Sequence, residues 1–213
     1  MIAARHRMVE EQLRARDIDD ERVLEAMERV PRELFVPDEL SDRAYDDAAL
    51  PIGHGQTISQ PAMVALICEL LALRGDERVL DVGTGSGYQA AVLAELADEV
   101  HSIERLDKLA QQARSNLARA GYGDRVVVHV GDGTLGDPEH APFVAIAVAA
   151  AAPEPPRPLY AQLAVGGRLA VPVGNRRDQR LELVVRTEHG PRVLRSVPCR
   201  FVPLVGREGF AGN

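Results

Sequence analysis

Several residue types are scarce in this chain of 213 residues: it has no tryptophan, two cysteines and, in Lys108, a single lysine. Aromatic residues make up 4% of the chain and hydrophobic residues 46%, so the core must be built from aliphatic side chains. Cys68 and Cys199 are too few for a disulfide framework, and neither the cysteines nor the six histidines show metal-ligand spacing. The sequence therefore predicts neither a disulfide-stabilised fold nor a metal site.

Long apolar runs and an excess of positive charge are also missing. No apolar run is long enough to span a bilayer, and the N-terminus lacks the apolar core of a signal peptide. The formal net charge of -7 argues against a general nucleic-acid binder, because such proteins present basic surfaces. We therefore expect a cytoplasmic, monomeric, single-domain protein over residues 1–213, with no membrane or nucleic-acid partner.

A glycine-rich turn lies at the centre of the sequence pattern. The apolar run 79–82 leads into Gly83, Gly85 and Gly87, and helical spacing follows over residues 89–97. A strand, a glycine turn and a helix in this order bring backbone N–H groups close to a ligand. Glycine suits the turn because it lacks a Cβ, so a bound molecule can touch the main chain.

Three acidic residues, Asp81, Glu104 and Asp132, stand at the ends of three successive apolar runs. An acid at the second strand tip can accept hydrogen bonds from both ribose hydroxyls, and the third could bind the exocyclic amine of adenine. A dinucleotide site usually reads G-x-G-x-x-G, whereas this turn reads G-x-G-x-G and carries no basic residue. The acids favour S-adenosylmethionine over a nicotinamide cofactor. The simpler alternative is three ordinary strand-to-helix turns that carry acids.

Strand and helix patterns alternate from Arg78 onward. The predicted strands are 78–82, 100–103, 126–130, 143–148 and 168–173, and the predicted helices are 87–97, 107–120 and about 155–163. This alternation predicts an α/β, Rossmann-like fold whose mostly parallel sheet carries helices on both faces.

The two ends of the chain depart from this alternation. Amphipathic spacing over 4–16, and from a cap at Asp19 or Asp20 to about Arg29, predicts an N-terminal helical cap within residues 1–60. Residues 181–186 and 193–197 predict a C-terminal antiparallel hairpin.

The segment 49–61 is predicted to be a loop because of its glycines and prolines. Ser59 could cap the following helix, and Pro61 could occupy the first turn of that helix. The hydroxyls of Thr57 and Ser59 would then lie at a helix N-terminus, where carboxylates are attracted. The same serine fits a capping role and a binding role.

Taken together, residues 50–61, 79–95, 131–133 and 201–204 resemble the protein-L-isoaspartate O-methyltransferase family. The resemblance extends over residues 8–210, and the run Gly55-Gln56-Thr57-Ile58-Ser59-Gln60-Pro61 is its most specific part. It implies a class I methyltransferase fold and methyl transfer from S-adenosylmethionine to the α-carboxyl of L-isoaspartyl residues in damaged proteins. The residues before 61 then supply a substrate loop, and 61–213 supply the cofactor-binding core and a substrate tail.

The resemblance also implies a role for individual residues. The catalytic residues would be Ser59 and Thr57. The cofactor-binding residues would be Asp81, Gly83, Thr84, Gly85, Ser86, Gly87, Glu104, Asp132 and Gly133. The substrate-binding residues would be Ile58, Gln60, Phe201, Val202, Pro203 and Leu204.

Three positions depart from the family pattern: Val144 stands where the family usually has aspartate, Ala149 where it has threonine or glycine, and Ala62 where it often has an aromatic residue. An acid at the first position helps order the loops around the methyl-transfer site in many class I methyltransferases, so Val144 is expected to affect loop order rather than the fold. Two alternatives stay open: a methyltransferase of another carboxylate or hydroxyl, and a weakened homologue that binds S-adenosylmethionine.

Overall fold

A seven-stranded sheet in the order β5-β4-β3-β6-β7-β8-β9 forms the centre of the computed structural model, which describes residues 1–212. The five strands β5, β4, β3, β6 and β7 run parallel to one another, and β8 is antiparallel to both β7 and β9. The strands are β3 (Arg78–Val82), β4 (Glu99–Glu104), β5 (Val126–Val130), β6 (Phe143–Val148), β7 (Leu163–Gly174), β8 (Gln179–Thr187) and β9 (Gly190–Cys199). The predicted parallel sheet and C-terminal hairpin are confirmed.

Helices cover both faces of this sheet. They are α1 (Ile2–Arg7), α2 (Glu21–Arg29), α3 (Pro61–Leu71), α4 (Tyr88–Leu96), α5 (Asp107–Arg119) and α6 (Arg157–Ala161). The alternation of side chains along β3 directs Val79 into the larger core, with α2, α3 and α4, and Leu80 into the smaller core, with Leu159 of α6. The predicted helix over 155–163 is shorter in the structure, because Leu163 already belongs to β7.

The N-terminal segment is helical, as predicted. After α1 the chain continues as a π-helix over Met8–Leu13 and a 3-10 helix over Arg14–Arg16, so it stays helical through the predicted range. Asp20 caps α2, because its carboxylate accepts a hydrogen bond from the Arg22 backbone N–H at 2.9 Å. Shorter 3-10 turns follow at Arg32–Phe35 and Asp38–Arg43. Among residues 1–212, no helix has both the length and the apolar character needed to cross a bilayer.

The segment predicted to be a loop is instead a short antiparallel hairpin of β1 (Leu50–Gly53) and β2 (Gln56–Ile58). Its apolar residues Leu50, Ile52 and Ile58 are buried, and this burial favours strands over an open loop. The turn between the strands has positive φ at Gly53, His54 and Gly55, which two glycines make accessible.

Helix α3 begins directly after this hairpin, with Pro61 in its first turn as predicted. The residue at the capping position is Gln60 rather than Ser59, and no side-chain oxygen from residues 1–212 caps the helix. The capping role predicted for Ser59 is therefore wrong, because the helix starts one residue too late for it.

The C-terminal tail returns to the sheet at the carboxyl end of β6. The backbone N–H of Leu204 donates to the Ala151 carbonyl at 2.7 Å, and that of Ala151 donates to the Val202 carbonyl at 2.8 Å. Pro203 and Ala151 form a parallel bridge. The tail therefore lies beside the edge of the sheet at which ligands of open α/β sheets bind.

Candidate functional site

An open cavity of about 750 Å³ lies at the carboxyl ends of β3, β4 and β6, and we call it the glycine-turn cavity. Its walls include many of the predicted site residues: Thr57, Ile58, Ser59, Gly83, Thr84, Gly85, Ser86, Glu104, Gly133, Val202, Pro203 and Leu204. Asp81, Gly87, Asp132, Gln60 and Phe201 are predicted site residues that lie outside these walls.

The glycine turn forms the floor of the cavity. Gly83, Gly85 and Gly87 have φ values of 92°, 55° and 95°, a region that other residues adopt at a cost. Gly87 has a second reason to be glycine, because a Cβ there would stand 3.1 Å from the Leu117 side chain. The absence of a side chain at Gly87 therefore allows the start of α4 to pack closely against α5. Gly87 affects the site through this packing, because it does not line the cavity.

Glu104 is buried in the cavity wall at the tip of β4. Its two carboxylate oxygens accept hydrogen bonds from the backbone N–H groups of Gly85 at 3.0 Å and Leu106 at 3.1 Å. These bonds fix the carboxylate, and each oxygen keeps a further lone pair for a ligand donor. Glu104 can therefore accept hydrogen bonds from a pair of neighbouring hydroxyls, such as those of a ribose.

Asp81 lies beneath the glycine turn rather than in the cavity wall. Its side chain is fully buried, and its oxygens accept hydrogen bonds from Gln89 Nε2 at 2.8 Å and Ser102 Oγ at 2.7 Å. Burial raises the pKa of Asp81 to about 6, against the lowering effect of these two bonds. The sequence predicted that Asp81 contacts the ligand directly. In the structure Asp81 is connected to the cavity wall through Ser102, whose hydroxyl is also hydrogen-bonded to Thr84 at 2.6 Å.

Asp132 also differs from the prediction that its carboxylate binds adenine. One oxygen accepts hydrogen bonds from the N–H and the hydroxyl of Thr134, at 3.0 and 2.7 Å, and the other accepts from the Arg207 N–H at 2.8 Å. Burial alone would raise the pKa of Asp132, but these hydrogen bonds bring it below its usual value. Asp132 therefore anchors the C-terminal tail, and Gly133 is the part of this motif that reaches the cavity.

A second open cleft, of about 1080 Å³, adjoins the glycine-turn cavity, and we call it the tail cleft. Gln60 and Phe201, the predicted substrate-binding residues missing from the first cavity, line this cleft. Four residues line both spaces: Thr57, Ser59, Ala149 and Val202. Thr57 and Ser59, the residues predicted to supply the catalytic hydroxyls, therefore stand at the boundary between the glycine-turn cavity and an open surface cleft.

Arg32 supports this boundary and was missed by the sequence analysis. Its buried guanidinium donates to the Ser59 carbonyl at 2.8 Å and the Ala44 carbonyl at 2.7 Å, and lies 4.7 Å from the centre of the Tyr88 ring. Burial lowers the pKa of Arg32 to about 10, because the charge has been removed from water. Its position, shortly after Pro31 in a turn, gave no indication in the sequence that the side chain is buried.

The departures from the family pattern at Val144 and Ala149 have different locations. Val144 lies near the start of β6 and is 36% exposed, whereas the cavity lies at the other end of that strand. The five residues to Ala149 correspond to about 16 Å of extended chain. The predicted effect of Val144 on the loops of the site therefore finds no support in its position, and Ala149 is the departure that touches the site.

Comparison with known proteins identifies relatives over nearly the whole chain. The family model described as "Protein-L-isoaspartate(D-aspartate) O-methyltransferase (PCMT)" matches residues 3–209. A protein-L-isoaspartate O-methyltransferase of Geotalea uraniireducens is 54% identical over 212 residues, covering 99% of this chain and 97% of its own. Another from Marinobacter nauticus is 58% identical over 208 residues, covering 97% and 94%.

Two solved structures are also similar. A protein-L-isoaspartate O-methyltransferase superposes with a TM-score of 0.86 at 30% identity, covering 96% of this chain and 67% of its own. A Plasmodium falciparum protein assigned to the same activity, solved with S-adenosyl-L-homocysteine, has a TM-score of 0.80 at 28% identity and covers 94% and 98%.

Proposed function

The chain belongs to the protein-L-isoaspartate(D-aspartate) O-methyltransferase family, and from this premise we propose that it methylates isoaspartyl carboxyls at the boundary between its two cavities. The observation that carries the proposal is the pair of hydroxyls, Thr57 and Ser59, that line both the glycine-turn cavity and the tail cleft. A methyl donor in the first space and a peptide carboxylate in the second would meet at these hydroxyls.

The residues of the glycine-turn cavity fit S-adenosylmethionine. Glu104 presents fixed carboxylate oxygens for the ribose hydroxyls, and charge-assisted hydrogen bonds of this kind are strong. Gly83, Gly85 and Gly133 leave room for close approach to the backbone. The cofactor supplies an electrophilic methyl group on a sulfonium cation.

Asp81 contributes through its charge rather than by contact. With a pKa of about 6 it is mostly ionised at neutral pH, and the negative charge lies in a fully buried position below the glycine turn. Electrostatic interactions are strengthened away from water. Asp81 would therefore favour a cationic ligand above the turn.

Methyl transfer to a carboxylate requires positioning more than proton transfer. An ionised carboxylate is already a nucleophile, so the reaction needs no general base. Ser59 and Thr57 would orient the carboxylate by hydrogen bonds. Neutral hydroxyls suit this role because a cationic partner would hold the negative charge and slow the attack.

The remaining parts of the chain receive proposed roles around this reaction. Residues 1–60 would form the helical cap and substrate loop of a single methyltransferase domain. The tail would bind the peptide through Phe201, Val202, Pro203 and Leu204, and Ile58 and Gln60 would bind it from the opposite side. We further propose that the protein acts as a cytoplasmic monomer and does not bind nucleic acid, in keeping with its net charge of -7.

The test compares two peptides that differ only in the linkage of one aspartyl residue. With labelled S-adenosylmethionine, we expect base-labile label on the isoaspartyl peptide and none on the normal one. Label on both peptides, or on another acceptor only, would favour a methyltransferase of a different carboxylate or hydroxyl. Cofactor binding without transfer would indicate a homologue that has lost catalysis.

Replacement of Ser59 then tests whether the residues at the boundary between the two cavities take part in methyl transfer. We expect Ser59→Ala to lower methyl transfer by up to about 100-fold, because misplacement of the reacting groups has effects of that size. Stability should change little, since Ser59 does not cap α3. The matched control is Ser115→Ala on the exposed side of α5, which should retain full activity. Equal activity of the two variants would exclude Ser59 from the reaction.

A further inference from the structure

Three histidines and an aspartate, distant in sequence, meet on the far side of the sheet from α4. His101 belongs to β4, His129 to β5, and Asp137 and His140 to the connection that leads into β6. One ligand atom from each of the four lies within 4.8 Å of all the others. All four residues are separate from the walls of the glycine-turn cavity, so the methyl-transfer site does not explain the cluster.

The ligand atoms converge on a small volume around one carboxylate oxygen. Asp137 Oδ2 lies 2.8 Å from His140 Nδ1 and 3.5 Å from both His101 Nδ1 and His129 Nε2. The nitrogens of His101 and His129 are 3.1 Å apart. Ligand atoms that surround a tetrahedral zinc ion at bond lengths of 2.0–2.1 Å lie about 3.3 Å from one another. Four of the six separations, from 2.8 to 3.5 Å, therefore approach those of a metal-binding set, and the other two are no longer than 4.8 Å.

The second ring nitrogen of His101 is held by a carboxylate. His101 Nε2 lies 2.8 Å from Glu99 Oε1, and the other oxygen of Glu99 accepts a hydrogen bond from Arg78 Nε at 2.6 Å. When Nε2 donates its hydrogen to Glu99, the lone pair of Nδ1 points into the cluster. Metal-ligating histidines almost always have such an outer partner, which fixes both the tautomer and the ring orientation.

The burial of the cluster also suits an ion that enters from the solvent. The side chain of His101 is 3% exposed and that of Asp137 is 10% exposed, which places them at the base of the site. His129 and His140 are 34% and 36% exposed and form its open side. The two outer rings can adjust to an ion, while His101 is held in place by Glu99.

We propose that His101, His129, Asp137 and His140 form a zinc-binding site. Imidazole nitrogens and one carboxylate match zinc and related transition ions, whereas calcium and magnesium prefer sets made of oxygen. Four protein ligands leave no open coordination position, so the ion is structural rather than catalytic. It fastens the 137–140 segment to β4 and β5.

The test titrates zinc chloride into the full chain after treatment with a chelator and removal of the chelator. We expect about one equivalent of zinc to bind per chain, and the melting temperature to rise with zinc concentration. Cobalt(II) in place of zinc should give visible absorption bands of tetrahedral intensity. A hydrogen-bonded cluster without metal affinity would produce neither result.

Variants identify the ligands independently of activity. His140→Ala and His129→Ala replace half-exposed rings, so both proteins should fold. Removal of the outer partner in Glu99→Ala should weaken zinc binding by about 10–100-fold, and removal of a ligand should weaken it further. The control is His189→Ala, in the exposed hairpin turn, which should bind zinc as the wild type does. Stoichiometry far below one, or unchanged affinity in both ligand variants, would overturn the proposal.

Discussion

Replacement of Asp81 by asparagine tests the buried charge beneath the glycine turn. The carboxylate is fully buried, and burial raises its pKa from 3.8 to about 6. This shift of about 2 pKa units corresponds to roughly 3 kcal/mol, at about 1.4 kcal/mol per unit. Because the pKa of Asp81 is higher in the folded state than in the unfolded state, protonation of its carboxyl stabilises the folded state. This stabilisation is fully present below the unfolded-state pKa. This stabilisation is lost as the pH rises through about 6.

The asparagine variant does not titrate at this position, so its stability relative to the wild type should depend on pH. We expect the difference in free energy of unfolding, variant minus wild type, to increase by about 2.5 kcal/mol between pH 4 and pH 8, because the unfolded carboxyl is already partly ionised at pH 4. The neighbouring hydrogen bonds can be kept: Gln89 Oε1 is buried without a partner in residues 1–212, and rotation of that amide lets it accept from Asn Nδ2.

The assay is urea unfolding of both proteins at a series of pH values, with Asp124→Asn, an exposed aspartate, as the control for the substitution. Calorimetry at pH 8 measures the affinity for S-adenosylmethionine in parallel. We expect the Asp81→Asn protein to bind the cofactor more weakly, because the charge below the turn is gone. A stability difference that stays constant with pH would refute the raised pKa, and unchanged affinity would refute the electrostatic role.

Three further substitutions test other parts of the site. Glu104→Ala should weaken S-adenosylmethionine binding by about 2–3 kcal/mol if two hydrogen bonds to the ribose are lost, and unchanged affinity by calorimetry would exclude that role. Val144→Asp should leave methyl transfer unchanged and alter the free energy of unfolding by about 0.5 kcal/mol or less, because the side chain is partly exposed and far from the cavity. Arg32→Met should destabilise the protein by about 1–3 kcal/mol, since it leaves the buried carbonyl of Ala44 and the partly buried carbonyl of Ser59 without this donor. The same variant should lower methyl transfer more than cofactor affinity, and equal losses would show that Arg32 supports the fold alone.

The core of the fold could be predicted because its signals are local. Val79–Val82, the three glycines and the helical spacing after them lie within one continuous stretch, and each predicts the same strand, turn and helix. The hairpin of β1 and β2 was missed because its glycines and proline resemble those of a loop. Its strands form because Leu50, Ile52 and Ile58 are buried against the rest of the molecule. Strand propensity depends on such tertiary contacts more than helix propensity does.

The parts of the site that the sequence did not predict depend on contacts between distant residues. The carboxylate of Asp132 accepts a hydrogen bond from the backbone N–H of Arg207, and the buried guanidinium of Arg32 donates to the Ser59 carbonyl. Likewise, His101 and His140 have no ligand spacing along the chain and meet only when the sheet forms. Motif spacing identifies sites within one segment, whereas these arrangements arise from the packing of several segments.

The attachment of the C-terminal tail links ligand occupancy to resistance against proteases. Val202–Val205 form one wall of the glycine-turn cavity, and backbone hydrogen bonds to Ala151 and to the Asp132 carboxylate hold the tail in place. A ligand that contacts this wall binds the protein with the tail docked and not with the tail released. At a ligand concentration of 100 times Kd, the free energy needed to release the tail therefore rises by about 2.7 kcal/mol. Trypsin cleavage after the exposed Arg207 is then slowed by cofactor and product alike, and the rate of cleavage at this bond reports the occupancy of the glycine-turn cavity.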